Sequence, residues 1–285
     1  MRRAYDLALP VWRLNMTWRP ALHFIVVIML TLLTEIGGVI WLLALGVRAI
    51  AGWHRRGALV LLFVLLYGIG TVITQQIAPL FGRVPLSCLG GDSVSFSVRS
   101  PLFCALNRNY VTPDLKSAAI ALAAHMQKIF PGTQTLALDA NFPFINSFPL
   151  MPHLSHNDGR KLDIAFYYKG EDGLFRNGET RSPIGYFAFE QPLPGSPRSC
   201  AGRRDWLTLR WDLAFLQPLF PDWHLEERRM TEALSWLSGE GRTYGIEKGF
   251  IEPHIPARLG IANETIRFQG CRAARHDDHI HIQVR

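Results

Sequence analysis

No CxxC pair occurs in the 285 residues, and only four cysteines are present. A cysteine-rich structural zinc site is therefore excluded. No stretch interleaves basic residues with aromatics, so the formal charge of +7, spread over scattered arginines, does not mark a nucleic-acid interface. That balance suits an anionic cell-wall polymer or a membrane surface instead. Internal repeats and low-complexity segments are also missing. Charge is almost missing from residues 21–81: between Ala21 and Val47 the only acidic residue is Glu35, and the only other ionisable one is His23. A signal peptide does not account for that run, which is too long and is followed by a second one.

The hydrophobic fraction of 48% is accordingly uneven. Residues 1–20 form an N-terminal tail with Arg2, Arg3, Arg13 and Arg19. Residues 21–81 predict two transmembrane helices, about 21–47 and 57–79, joined by a short basic loop from Arg48 to Arg56. Glu35 would fall in the middle of the first span, where a carboxylate is costly without a partner; Thr71, Thr74 or a neighbouring subunit are the expected ones. Two spans return the chain to its starting side, which sets up a conflict. The loop is basic, as a cytoplasmic loop should be, yet the tail is basic too and would have to lie on the opposite side.

Residues 82–285 have ordinary globular composition and predict one α+β domain. All four cysteines, at 88, 104, 200 and 271, fall within it, which predicts two disulfides in an oxidising compartment. Three pairings are possible; Cys88–Cys104 and Cys200–Cys271 are preferred, the first for proximity in the chain. The disulfides tip the topology towards anchoring in the inner (cell) membrane with the domain in the periplasm or outside.

Within the domain, Thr112-Pro113-Asp114 reads as a helix start, and an apolar stripe carries that helix to about Phe130. Strands are expected at 133–139, 163–168 and 186–189, and another from Gly249. Leu225–Leu237 reads as a helix, and Trp206–Leu219, rich in Trp, Leu and Phe, as a buried helical segment. Residues 141–153, rich in Phe and Pro, read as core and turn. Arg203 or Arg204, in a loop tied down by Cys200, is a candidate oxyanion or carboxylate binder. His224 beside Asp222 is a candidate for a second metal, and His254 reads as loop.

The chemistry concentrates in two stretches. Three of the ten histidines, His276, His279 and His281, crowd the C-terminus. From Asp278 the pattern alternates, which puts His279, His281 and Gln283 on one face of a strand and Ile280, Ile282 and Val284 on the other. Imidazoles held two residues apart on a stiff strand suit a metal site. The second stretch runs from His153 through His156 and the Asn157-Asp158-Gly159 turn to Asp163, which enters a strand. One His, one Asp and a distant His make three protein ligands and leave a fourth position for water, the pattern of a catalytic zinc. Asp277 or Asp158 are the expected acceptors behind the ligand imidazoles.

Ser155-His156-x-x-Gly159-x-x-x-Asp163-Ile164, taken with His276-Asp-x-His279-x-His281, resembles the LAS metallopeptidases, which include D-Ala-D-Ala peptidases and the hedgehog fold. The likeness is nearest to the penicillin-insensitive murein endopeptidases. It implies that His156, Asp163 and His281 hold Zn2+, that His276 is the catalytic base or acid, that His279 sits beside the metal, and that His153 lies near it. Asp278 is the alternative base, although strand alternation turns it away from His281. The implied fold is a small antiparallel sheet with flanking helices carrying the zinc site, preceded by the two membrane helices. The implied function is hydrolysis of peptidoglycan peptide cross-links by a metal-activated water. The alternative is a non-catalytic zinc-containing module that binds wall peptides or a partner. Membrane proteins of wall remodelling are possible partners of the spans.

Overall fold

A computed structural model describes residues 18–285 apart from 54, 197 and 204. The arginines of the N-terminal tail up to Arg13, His54 and Arg204 thus lie outside the described residues, as does the side chain of Arg56.

The first apolar run does not form the single span expected. It folds into two helices, α1 (Trp18–Thr34) and α2 (Gly37–Ile50), which pack against each other as a hairpin. Glu35 makes the turn with φ 65°, in the left-handed region. Gly37 and Gly38 allow the close return: a Cβ on Gly38 would lie 2.0 Å from Thr31 Oγ1 and 2.7 Å from the Val27 carbonyl. Further along, Trp41 donates to His23 at 3.3 Å. At 17 and 14 residues, the helices reach only about 25 and 21 Å, short of a bilayer core of about 30 Å. Helix α3 (Arg56–Ile77) packs antiparallel on α2 and runs into a short 3-10 turn, Ala78–Phe81. Among the described residues, Gly57–Phe81 is the one helical stretch long and apolar enough to cross a membrane.

The rest is a mixed α/β domain. Its main sheet has six strands, β1 (Phe96–Val98), β2 (Thr135–Ala137), β3 (Lys161–Ala165), β4 (Ile246–Phe250), β5 (Ile266–Arg267) and β6 (His279–Val284). Their order is β1-β2-β3-β6-β4-β5. The centre is antiparallel, as expected, but the outer pairs β1/β2 and β4/β5 are parallel, so the sheet is mixed. Helices α4 (Pro113–Ile129) and α5 (Glu227–Ser238) cover one face. Thr112 caps α4 by accepting from Leu115 N, and Glu226 caps α5 by accepting from Arg229 N. Leu162, Ile164, Ile280, Ile282 and Val284 are buried against Leu115, Leu122, Met126 and Leu234 of these helices. That apolar layer, at roughly 25 cal/mol per Å² buried, fixes the strands whose other face carries the histidines. Both disulfides form with the preferred pairing, Cys88–Cys104 and Cys200–Cys271.

Two local expectations do not hold. Residues 186–189 form no strand; Phe187 takes φ 72° and its N donates to Asp278 Oδ2, while Glu190 N, just beyond, donates to the Asp277 carbonyl. Residues 206–219 are not a buried helix. They run over the surface with a 3-10 turn at Ala214–Leu219, and Trp206, Leu207, Phe215 and Leu219 are exposed. The segment is tethered through Arg210 to Glu252 and through Leu209 N to the Arg272 carbonyl, so its apolar side chains are not needed to hold it.

Candidate metal centre

Register builds the site. In the β3/β6 pairing His281 lies directly opposite Asp163 and His279 opposite Ala165. Opposed residues of an antiparallel pair share a face, so Asp163 and both histidines project away from the helices. The loop from Asn141 to Gly159 then brings His153 and His156 over the same face. Its ends are pinned by Asn141, whose Oδ1 accepts from Gly159 N at 3.1 Å and whose amide donates to the Lys161 carbonyl at 2.7 Å.

Three ligand atoms converge. His156 Nε2 lies 2.9 Å from His281 Nδ1 and 3.2 Å from Asp163 Oδ1, and His281 Nδ1 lies 2.9 Å from Asp163 Oδ1. A tetrahedron with bonds of about 2.1 Å has edges of about 3.4 Å, so the triangle is near the size a small divalent ion needs. The tautomer agrees: the Ala140 carbonyl can only accept, so His156 Nδ1 donates to it at 2.7 Å and leaves Nε2 a lone pair towards the site. Burial pushes the His281 imidazole down to about 4, which keeps it neutral. No lysine or arginine pairs with the buried Asp163 carboxylate among the described residues; imidazoles and the Tyr186 hydroxyl surround it. Two nitrogens and one carboxylate oxygen are a donor set that divalent metals take.

His153, His156 and Asp163 also offer ligand atoms within 4.8 Å of one another. His153 differs from His281 in its company. Its Nδ1 sits between two carboxylates, 3.2 Å from Asp139 and 3.1 Å from Asp163. Burial alone would lower that imidazole, but the two carboxylates outweigh burial and push it up to about 10. Protonated, His153 is a cation beside the site; deprotonated, it is a third ligand with His156 and Asp163.

His276, His279 and Asp278 separate into distinct positions. His276 and His279 line a small cavity of about 80 Å³ together with His153, His156, Asp163 and His281. The His276 ring centroid is 5.5 Å from that of His281 and 5.0 Å from that of His279. Burial and the neighbouring imidazoles hold His276 well below its usual range, so it is neutral. Asp278 does not face the cavity. Its Oδ1 accepts from His279 Nδ1 at 2.5 Å and its Oδ2 from Phe187 N at 2.5 Å, so it orients His279 rather than competing with His276.

Several expected partners stand elsewhere. Asp277 pairs with Arg275, and Asp158 with Lys161; neither touches His156, whose acceptor is the Ala140 backbone, or His281, whose Nε2 is buried without a partner among the described residues. Arg203 is largely exposed beside Asp205. His224 is an exposed strand residue that belongs to no cluster of three metal-ligating groups among the described residues. His254 opens a one-turn helix, His254–Arg258, and its Nε2 donates to the Glu190 carbonyl at 3.0 Å. Two participants carried no signal in the sequence. Asp139 accepts from Arg108 Nε at 2.8 Å while facing His153. Tyr186 donates to Asp163 Oδ2 at 2.6 Å and accepts from Asp139 N at 3.0 Å. A wider cleft, about 720 Å³, lies on the other side of the Thr208–Arg210 segment, but it is lined by paired groups such as Arg210–Glu252 and Arg275–Asp277 rather than by the histidines.

In comparisons with known proteins, no family model and no curated protein matches the chain.

Proposed function

We propose that this chain is a membrane-anchored zinc peptidase that hydrolyses peptide cross-links of peptidoglycan. The observation that supports it best is the convergence of His156 Nε2, Asp163 Oδ1 and His281 Nδ1 beside a neutral His276 at one cavity. The substrate class rests on the motif resemblance to murein endopeptidases. A zinc ion held there would lower the pKa of a water towards 7 and polarise a scissile carbonyl. His276 takes the proton from the attacking water and returns it to the leaving amine. His279, fixed by Asp278, lines the cavity with its Nε2 3.5 Å from Asp163 Oδ2, and the cationic His153 adds positive charge where the oxyanion develops.

The helical region supports the anchoring, and its contacts with the domain suggest an arrangement of the ends. The hairpin turn at Glu35 and the exit of α3 both meet the domain, at Phe144 and Ile145 and at Phe142. The chain therefore enters α1, and passes from α2 to α3, at the far end of the bundle. Arg19 at the start of α1, and Arg48 and Arg55 beside the connection from α2 to α3, belong to that one end, the domain to the other. These arginines lie on the cytoplasmic side and the disulfide-bonded domain outside. Lipid covers exposed side chains such as Phe24, Leu43, Leu61 and Val72.

One observation favours a second reading, a zinc-containing binding module without turnover. His156, Asp163, His276, His279 and His281 are each no more than 4% exposed, and the cavity before them is too small for a peptide. The deciding experiment uses the full chain in detergent, loaded with zinc and incubated with isolated peptidoglycan. Mass spectrometry follows the released fragments for wild type, His281→Ala and His276→Ala. Chelator-sensitive release lost in both variants supports the peptidase. Stoichiometric zinc without release supports the binding module, and no bound zinc overturns both.

A further inference from the structure

Glu35, the one acidic residue of the long apolar run, is buried at the hairpin tip, yet its partners are not in the helices. Its Oε2 accepts from Phe144 N at 3.0 Å and its Oε1 from Ile145 N at 2.6 Å, so one carboxylate caps two successive amides of the 141–159 loop. Arg83, two residues beyond the 3-10 turn that ends α3, is 1% exposed and holds the same loop from the side. Its guanidinium donates to the Phe142 carbonyl and, at 2.6 Å, to Asn146 Oδ1. Ser147 N then donates to the Asn157 carbonyl at 2.7 Å, closing the loop one residue after His156. Phe81 packs edge-on against Phe144 with centroids 5.0 Å apart.

The loop so held carries His153 and His156. Elsewhere the loop is held by the Asn141 contacts at its base, by buried Leu150 and by Arg108 Nη1 donating to the Met151 carbonyl at 2.9 Å; the stretch from Phe142 to Asn146, with Ile145 exposed, is the part that Glu35 and Arg83 hold. A buried carboxylate and a buried guanidinium are expensive to keep in a chain end that only anchors. Here, among the described residues, every side-chain hydrogen bond of the two groups goes to that loop.

We infer that Glu35 and Arg83 are positioning residues, through which the membrane helices hold His156 in place for the metal. This rests on the metal-centre reading above. A consequence is that the bundle and the site are coupled: a shift of the hairpin tip against the exit of α3 moves the loop that bears one ligand and the flanking cation.

The test uses the full chain in lipid nanodiscs. Glu35→Gln is nearly isosteric but replaces one acceptor oxygen with a donor facing an amide; Arg83→Lys keeps the charge and loses the fork. Leu61→Ala, on the exposed side of α3, is the control. Zinc affinity is measured by competition with a chelator of known strength, and backbone hydrogen exchange is followed at 144–157. The expected result is zinc affinity about tenfold or more weaker in Glu35→Gln, within the range for groups that orient ligands, with faster exchange at 153–157, unchanged circular dichroism and intact disulfides. The control should match wild type in both readouts. Equal affinity and equal exchange in Glu35→Gln and wild type overturn the inference. If Arg83→Lys does not fold, Glu35→Gln decides alone. If wild type binds no zinc, the metal reading fails, and exchange at 153–157 still judges the clamp.

Discussion

Asp139→Asn is the sharpest probe of the charge arrangement behind the candidate metal centre. Asp139 is 1% exposed and is bound in a fork by Arg108 Nε and Nη2 while facing His153 Nδ1 at 3.2 Å. With Asp163 the group holds two carboxylates and two cations, so its buried charge cancels. Both carboxylates lie below the usual range despite burial, because their cationic neighbours outweigh it. The substitution keeps the shape and removes one charge, leaving Arg108 and His153 opposed by Asp163 alone. Breaking a buried pair by removing one partner costs about 3–5 kcal/mol. His153 can release its proton once Asp139 is gone, which holds the cost to the lower end, about 3 kcal/mol. For a domain of this size, about 2–4 °C of melting temperature goes with each kcal/mol, so the midpoint should fall by roughly 6–12 °C. Differential scanning fluorimetry of the zinc-free chain at pH 7 measures it. A fall of less than 2 °C would refute the reasoning, because it would mean that the group is hydrated or uncharged.

Tyr186→Phe removes the hydroxyl that donates to Asp163 Oδ2, and zinc affinity measured by chelator competition should weaken about 10–100-fold. Mild reduction of Cys200–Cys271, which closes a separation of 71 residues, should cost about 4 kcal/mol by loop entropy, and limited proteolysis should then cut first within 199–219. A reporter domain inserted near Gly52, in the loop joining α2 and α3, should report the cytoplasmic side, while one fused after Arg285 should report the outside; the reverse pattern would overturn the sidedness. His276→Ala should abolish turnover while leaving one equivalent of zinc bound, whereas His281→Ala should lose both, as read by metal analysis and fragment release.

Much of the site was legible in the chain because its parts are periodic. The alternation from Asp278 to Val284 encodes a strand with histidines on one face, and the structure has that strand, buried on its isoleucine side. Thr112, Pro113 and the apolar stripe after them encode helix α4 and its cap. The preferred cysteine pairs are the pairs formed. What misled was composition read without context. Trp206, Leu207 and Phe215 suggested burial, yet the segment is held by a disulfide and by the polar bonds of Arg210 and Leu209, so its apolar side chains remain outside. An apolar run from 21 to 47 read as one span because hydropathy has no register for a turn; only the hairpin's contacts give Glu35 its place.

By itself, then, the sequence determined the local faces: which residues of β6 point together, where α4 starts, and where a His and an Asp flank a tight turn. Those follow from backbone periodicity and turn chemistry, which act within a few residues. Tertiary structure alone decided which partners complete the site. Tyr186 meets Asp163, Asp139 meets Arg108 and His153, the Ala140 carbonyl sets the His156 tautomer, and Glu35 caps a loop more than a hundred residues away. Such pairings join groups brought together only when the sheet and the hairpin close, and a buried polar group accepts any partner of the right chemistry that closure delivers. The residue types therefore announce a need for partners without naming them.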